Sequence, residues 1–135
     1  MKINPYLNFD GNAAEALAFY AETLGGTVAS SMTFGAMPDQ PDWVTDANRD
    51  RLANAVLNVG DNVILLSDTA GFEPHKGFAG VTLQMSLPDM DQGQVVFDKL
   101  SAGGAVRMPF APTFWAKGFG MCHDKFGVGW MVNVE

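Results

Sequence analysis

Cys122, His123 and Asp124 are consecutive near the end of the chain. Their types are those of a nucleophile, a base and an orienting carboxylate. They sit in TFWAKGFGMCHDKFGVGWMVN (113–133), which also holds two of the three Trp and one of the two His. A Cys–His pair works only when the two side chains are within hydrogen-bond reach. On a strand, neighbouring side chains point to opposite faces. Cys122 and Asp124 then share one side and His123 takes the other. The pattern predicts a half-buried Cys at a strand end, followed by a turn at DKFG (124–127), where Asp and Gly supply the backbone geometry. His75, His123, the single Cys and the scattered carboxylates form no recognised metal-binding spacing.

The elements around these residues are written twice. NAAEALAFYAETLGG (12–26) predicts an amphipathic helix. Asn12 and Glu15 have capping-box spacing, and Gly25-Gly26 ends the helix. Ala13, Ala16, Leu17, Tyr20 and Leu24 make its apolar face. DMDQGQVVFDKLSAGG (89–104) has the same design, capped by Asp89 or Asp91, with Val96, Phe97 and Leu100 apolar. A shift of 78 residues carries Phe19 onto Phe97, Gly25-Gly26 onto Gly103-Gly104 and Val28 onto Val106. Strands are predicted at 3–9, 27–34, 53–60 and 62–68, then at 81–87, 105–112, 118–124 and 128–134. The order is β-α-β-β-β, repeated, which points to two similar modules. GFEPHKG (71–77) reads as the linker, and the Pro- and Asp-rich stretch 33–51 as a long connection, of a kind that often forms a functional lid or mobile segment.

Bulk properties exclude several classes of partner. The chain has 135 residues, 47% hydrophobic and 17% charged, with a net charge of −7. Its eight Lys and Arg are scattered, so no basic patch exists for nucleic acid or an anionic membrane. No apolar run approaches the roughly 20 residues of a membrane span. MKINPYLNF lacks the apolar centre of a secretory signal, and a lone Cys suits a reducing compartment, so a cytoplasmic location is expected.

PYLNFDGNAAEALAFYAETLGG (5–26), MTFGAMP (32–38) and TFWAKGFGMCHDKFGVGWMVNV (113–134) resemble the PhnB-like branch of the vicinal oxygen chelate superfamily. That superfamily contains glyoxalases, bleomycin resistance proteins and extradiol dioxygenases. The resemblance covers essentially the whole chain. It implies an α+β fold of paired βαβββ modules, about 1–70 and 78–135, in one domain. The modules are expected to form a half-open, barrel-like cleft, usually in a homodimer. Some PhnB-like sequences carry a methyltransferase label, yet no glycine-rich nucleotide loop is present here.

Superfamily enzymes typically hold a divalent metal with His and Glu from four inner strands. Those positions map here onto Pro5, Asn58, Thr82 and Met131. None is a carboxylate or imidazole, and Pro and Met do not bind a hard cation. No metal and no cofactor are expected. Strand alternation makes Val128, Trp130, Val132 and Val134 core, along with Val81, Leu83, Met85 and Leu87. It sends Asn58, Thr82, Gln84, Met131 and Asn133 to the cleft, with Leu7 and Phe9 on its apolar border. Phe34, Trp43, Phe114, Trp115 and Phe119 fall on rims and loops, where aromatics stack on flat ligands. The expected function is a metal-free dimer that binds a small molecule. The alternative is a vicinal oxygen chelate enzyme (lyase, dioxygenase or transferase) acting on a small organic substrate, with His123 or Asp124 as acid or base.

Overall fold

In the computed structural model, which describes residues 1–135, the predicted order appears twice. The first unit, Met1–Lys76, contains β1 (Tyr6–Phe9), α1 (Ala13–Leu24), β2 (Thr27–Thr33), β3 (Leu52–Val59) and β4 (Asn62–Asp68). The second, Gly77–Glu135, contains β5 (Thr82–Leu87), α2 (Met90–Ser101), β6 (Ala105–Ala111), β7 (Gly118–His123) and β8 (Gly129–Val134). The sheets have matching strand orders, β1-β4-β3-β2 and β5-β8-β7-β6, and the outer pairs β1·β4 and β5·β8 are parallel. Neither sheet closes into a barrel.

Each helix covers one face of its own sheet. In the first unit α1 packs on β3 and β4, burying Ala13, Ala16, Leu17 and Tyr20 against Leu7, Phe9, Leu57 and Leu66. Leu7 and Phe9 are therefore core residues beneath the helix (7% and 1% exposed), not the border of a cleft. In the second unit α2 packs on β7 and β8, and Phe97 stacks on Phe110 with ring centroids 5.8 Å apart. Val128, Trp130, Val132 and Val134 are buried as alternation predicts. Leu83, Met85 and Leu87 are half-buried. Val81 departs from the expectation: it precedes β5 and is 73% exposed, because no ladder fixes its direction.

Close packing explains two glycines. A Cβ on Gly120 would lie 2.7 Å from Phe97 and 2.9 Å from the Phe110 backbone. A Cβ on Gly104 would run into the carbonyl oxygen of His123.

The helix starts differ from the capping-box reading. Asp89 caps α2 by accepting from Gln92 N at 2.8 Å. Asn12 occupies the N-cap of α1 but its side chain makes no cap hydrogen bond. Asp68, from the end of β4, substitutes for it. Its Oδ1 accepts from Gly11 N (2.8 Å) and Ala13 N (3.0 Å), and its Oδ2 from Leu52 N (2.8 Å). The repeat offset is also adjusted. The helices start at Ala13 and Met90 and end at Leu24 and Ser101, 77 residues apart at both ends. The counterpart of Phe97 is therefore Tyr20, which is fully buried, rather than the half-buried Phe19.

The connection 33–51 is held at several points. Its first turn is a 3-10 helix, Phe34–Ala36. Phe34 N and Gly35 N donate to the carbonyls of Arg51 and Arg49. Buried Asn48 donates to Trp43 O (3.0 Å) and Ala70 O (3.2 Å). The acidic residues Asp39, Asp42, Asp46 and Asp50 are all solvent-exposed.

Asp68 gives the first unit a test. Asp68→Ala leaves three backbone donors without their acceptor and is expected to cost about 3–5 kcal/mol of stability. Urea unfolding of the variant measures this. A loss below about 1 kcal/mol would show that Asp68 does not tie these segments together.

Candidate functional site

The terminal hairpin determines what the opening residues do. Asp124 is 2% exposed. Its Oδ1 accepts from Phe126 N (2.9 Å) and Val128 N (3.0 Å), and its Oδ2 from the Trp130 indole (2.8 Å). Gly127 N donates to the Asp124 carbonyl at 2.9 Å, closing the predicted DKFG turn. Asp124 is thus a fully engaged turn residue and not the acid or base of the enzyme alternative. Cys122 is more buried than expected, at 1% exposed. Burial, reinforced by the Asp124 charge, pushes its thiol from an ordinary value of 9.0 up to about 11. A protonated, buried thiol is a poor nucleophile. Only His123 of the three reaches the opposite face, as the strand pleat requires.

That face, turned away from α2, is the candidate site. Cross-strand register arranges it in three rows. The first is Thr82, Gly129, His123 and Ala105. The second is Gln84, Met131, Met121 and Met108. The third is Ser86, Asn133, Phe119 and Ala111. Gln84 Nε2 donates to Ser86 Oγ at 3.1 Å. Trp115 meets Phe119 edge-on at 5.4 Å, and Phe114 meets Trp115 at 4.7 Å. Phe114 is 98% exposed and Trp115 52% exposed, so this aromatic ladder runs from the sheet into solvent.

Five predicted residues, Thr82, Gln84, Met131, Asn133 and Phe119, therefore share one face, with Trp115 and Phe114 extending it. Asn58, Phe34 and Trp43 belong to the first unit. There Asn58 is exposed near the end of β3, while Phe34 packs beside the start of that strand, about 20 Å of extended chain away. Phe34 is not a rim residue: it is 7% exposed and sits against Trp43 (5.2 Å), which in turn meets Phe72 (6.1 Å).

Sequence reasoning missed Met121 and Met108 as members of the second row. Alternation within GFGMCHD groups Phe119, Met121 and His123, but their alignment with Met131 depends on strand pairing. It also missed a polar cluster on the open face of the first sheet. There Ser67 donates to Asn8 Oδ1 (3.1 Å), Asn54 reaches the Tyr6 hydroxyl (3.5 Å), and His75 Nε2 donates to the Asn8 carbonyl (2.7 Å).

The metal positions need one correction. Three pairs back from the ladder ends, Leu87↔Val134 and Phe9↔Asp68, stand Gln84 with Met131 in the second unit and Tyr6 with Leu65 in the first. The first-unit counterpart of Met131 is therefore Leu65 on β4, not Asn58 on β3. Leu65 has no donor atom. No three His, Cys, Asp or Glu side chains come together anywhere in the chain. Neither Pro5 and Leu65 in the first unit nor Thr82 and Met131 in the second supplies the carboxylate or imidazole that a hard divalent ion takes.

Two units of β-α-β-β-β order, each with a helix on one sheet face and an open face opposite, define a glyoxalase-type α+β protein. The family model of the glyoxalase/bleomycin resistance protein/dioxygenase superfamily matches residues 2–132, and the chain belongs to that superfamily. It is 35% identical to protein YjdN of Escherichia coli (strain K12), an alignment covering 99% of this chain and 95% of that protein. The crystal structure of protein PA1353 from Pseudomonas aeruginosa is 39% identical, with a TM-score of 0.90 over 100% of this chain and 98% of that one. The PhnB protein from Bacillus cereus shares the fold at 23% identity, with a TM-score of 0.83 over the full length of both chains.

The state of Cys122 gives a pH-linked test. The thiol loses its proton more readily unfolded than folded, so its contribution to stability is complete below about pH 9 and is lost as pH rises toward 11. Native protein at pH 8 is expected to resist thiol alkylation, and unfolded protein to react at once. Rapid labelling of the native chain would contradict the buried assignment.

Proposed function

We propose that this protein is a homodimer that binds a small, uncharged or amphipathic organic molecule on the open face of the second sheet, without a hard divalent metal. The observation that carries this is the composition of the face. Thr82, Gln84, Ser86 and Asn133 offer neutral hydrogen-bonding groups beside Met131, Met121 and Phe119. Small-molecule sites combine apolar walls with a few placed polar groups in this way. The Phe114–Trp115–Phe119 ladder favours a flat ligand. Membership of a superfamily whose members bind small molecules and often dimerise supports the same reading. The repeated strand order supports treating the two units as halves of one vicinal oxygen chelate domain. The single, buried Cys suits a cytoplasmic setting.

A thermal-shift screen of metabolites and antibiotics tests the assignment. A ligand that binds is expected to lose about tenfold or more in affinity, about 1.4 kcal/mol, in the Gln84→Ala/Asn133→Ala double variant. The variant should unfold at an unchanged denaturant concentration. Affinity untouched by the double variant would place the site elsewhere. Light scattering should give twice the 14.5 kDa chain mass; a monomer would remove the dimer from the proposal.

One observation favours the enzyme reading: His123 is the only titratable side chain in the three rows, where it is placed to exchange protons with a bound substrate. Turnover of a small carbonyl or catechol substrate, abolished in His123→Gln with binding retained, would establish it.

A further inference from the structure

The second row of the open face holds three thioethers side by side. Met131 on β8 is paired with Met121 on β7, and Met121 with Met108 on β6. Directly opposed residues on neighbouring strands have Cβ atoms about 4.5–5.5 Å apart. Methionine is unbranched with three rotatable bonds, so side chains at this spacing can bring their sulfurs to a common point above the middle strand. Met108 is 39% exposed, and Met121 and Met131 are half-buried, so none of the three is sealed in the core.

An imidazole stands next to this row. His123 is two residues from Met121 on β7 and so shares its face. Its ring leans over Gly129, where its Cδ2 would lie 3.5 Å from an added Cβ. Gly129 in turn precedes Met131 by two residues on β8. No carboxylate lies in any of the three rows, and Asp124, next to His123 in the chain, is buried with both oxygens engaged.

Three thioethers and one imidazole form a neutral, soft donor set. Hard divalent ions find no carboxylate and no charge compensation there. A soft monovalent ion selects thioether and imidazole ligands and needs little compensating charge. The net charge of −7 favours the approach of any cation.

We propose that Met108, Met121, Met131 and His123 form a binding site for a soft monovalent metal ion, Cu(I) or its analogue Ag(I). The site shares a face with the small-molecule site but does not depend on it: metal binding is read without any organic ligand.

The test is titration of the full chain, labelled at the methionine methyl groups, with silver nitrate in chloride-free buffer. The chain has eight methionines. The methyl resonances of Met108, Met121 and Met131 are expected to move together and saturate at one equivalent, with the His123 ring signals following. The other five should stay in place. In competition with a Cu(I) chelator, Met121→Leu, which keeps the volume, should weaken Cu(I) binding roughly tenfold or more at unchanged stability. Cys122→Ala should leave binding intact. Shifts confined to Met1 or to the surroundings of Cys122, no saturable shift, or unaltered affinity in Met121→Leu would each overturn the proposal.

Discussion

A buried carboxylate with both oxygens engaged anchors each unit. Burying a carboxylate is costly unless its oxygens are satisfied. Asp68 meets that condition with the amides of Gly11, Ala13 and Leu52, and Asp124 with those of Phe126 and Val128 and the Trp130 indole. Each tie joins segments that would otherwise be free to shift. Asp68 connects the end of β4, the start of α1 and the start of β3. Asp124 sets the turn between β7 and β8 and seats Trp130 in the core. The acid next to His123 in the chain is thereby engaged in structure.

The orientation of the site follows from the same tie. With Asp124 and Cys122 held below the sheet, the pleat directs His123, Met121 and Phe119 to the opposite side. Pairing with β8 and β5 brings Met131, Asn133, Gln84 and Thr82 alongside them. The helix-facing side is filled by Phe97, Phe110 and the β8 apolar residues, and Gly120 lets Phe110 approach closely. One face is packed core, and the other is left open with neutral polar groups, soft sulfur and aromatic rings.

A shared fold sets where strands and open faces lie, not which donors occupy them. Here the parallel outer pairs present Thr82, Gln84 and Met131 in the second unit, and Tyr6, Asn8 and Leu65 in the first. Hydrogen bonding, stacking and soft-donor coordination are the interactions such side chains provide.

All eight strands, both helices and the duplicated order were legible in the sequence, because pleat and helix periods are local properties of the chain. So were the DKFG turn and the face assignment of Cys122 and His123. The errors lay where distant segments decide the outcome. The first helix cap came from Asp68, 55 residues beyond Ala13, so the local Asn12–Glu15 pattern misled. Phe34 looked like a rim aromatic until packing buried it beside Trp43. Asn58 stood in for Leu65 because sequence alone does not say which strand pairs with β1. Local periodicity therefore determined the elements and the side each residue takes. Only tertiary pairing, which brings β5, β6, β7 and β8 into one register, decided which residues on that side stand next to one another.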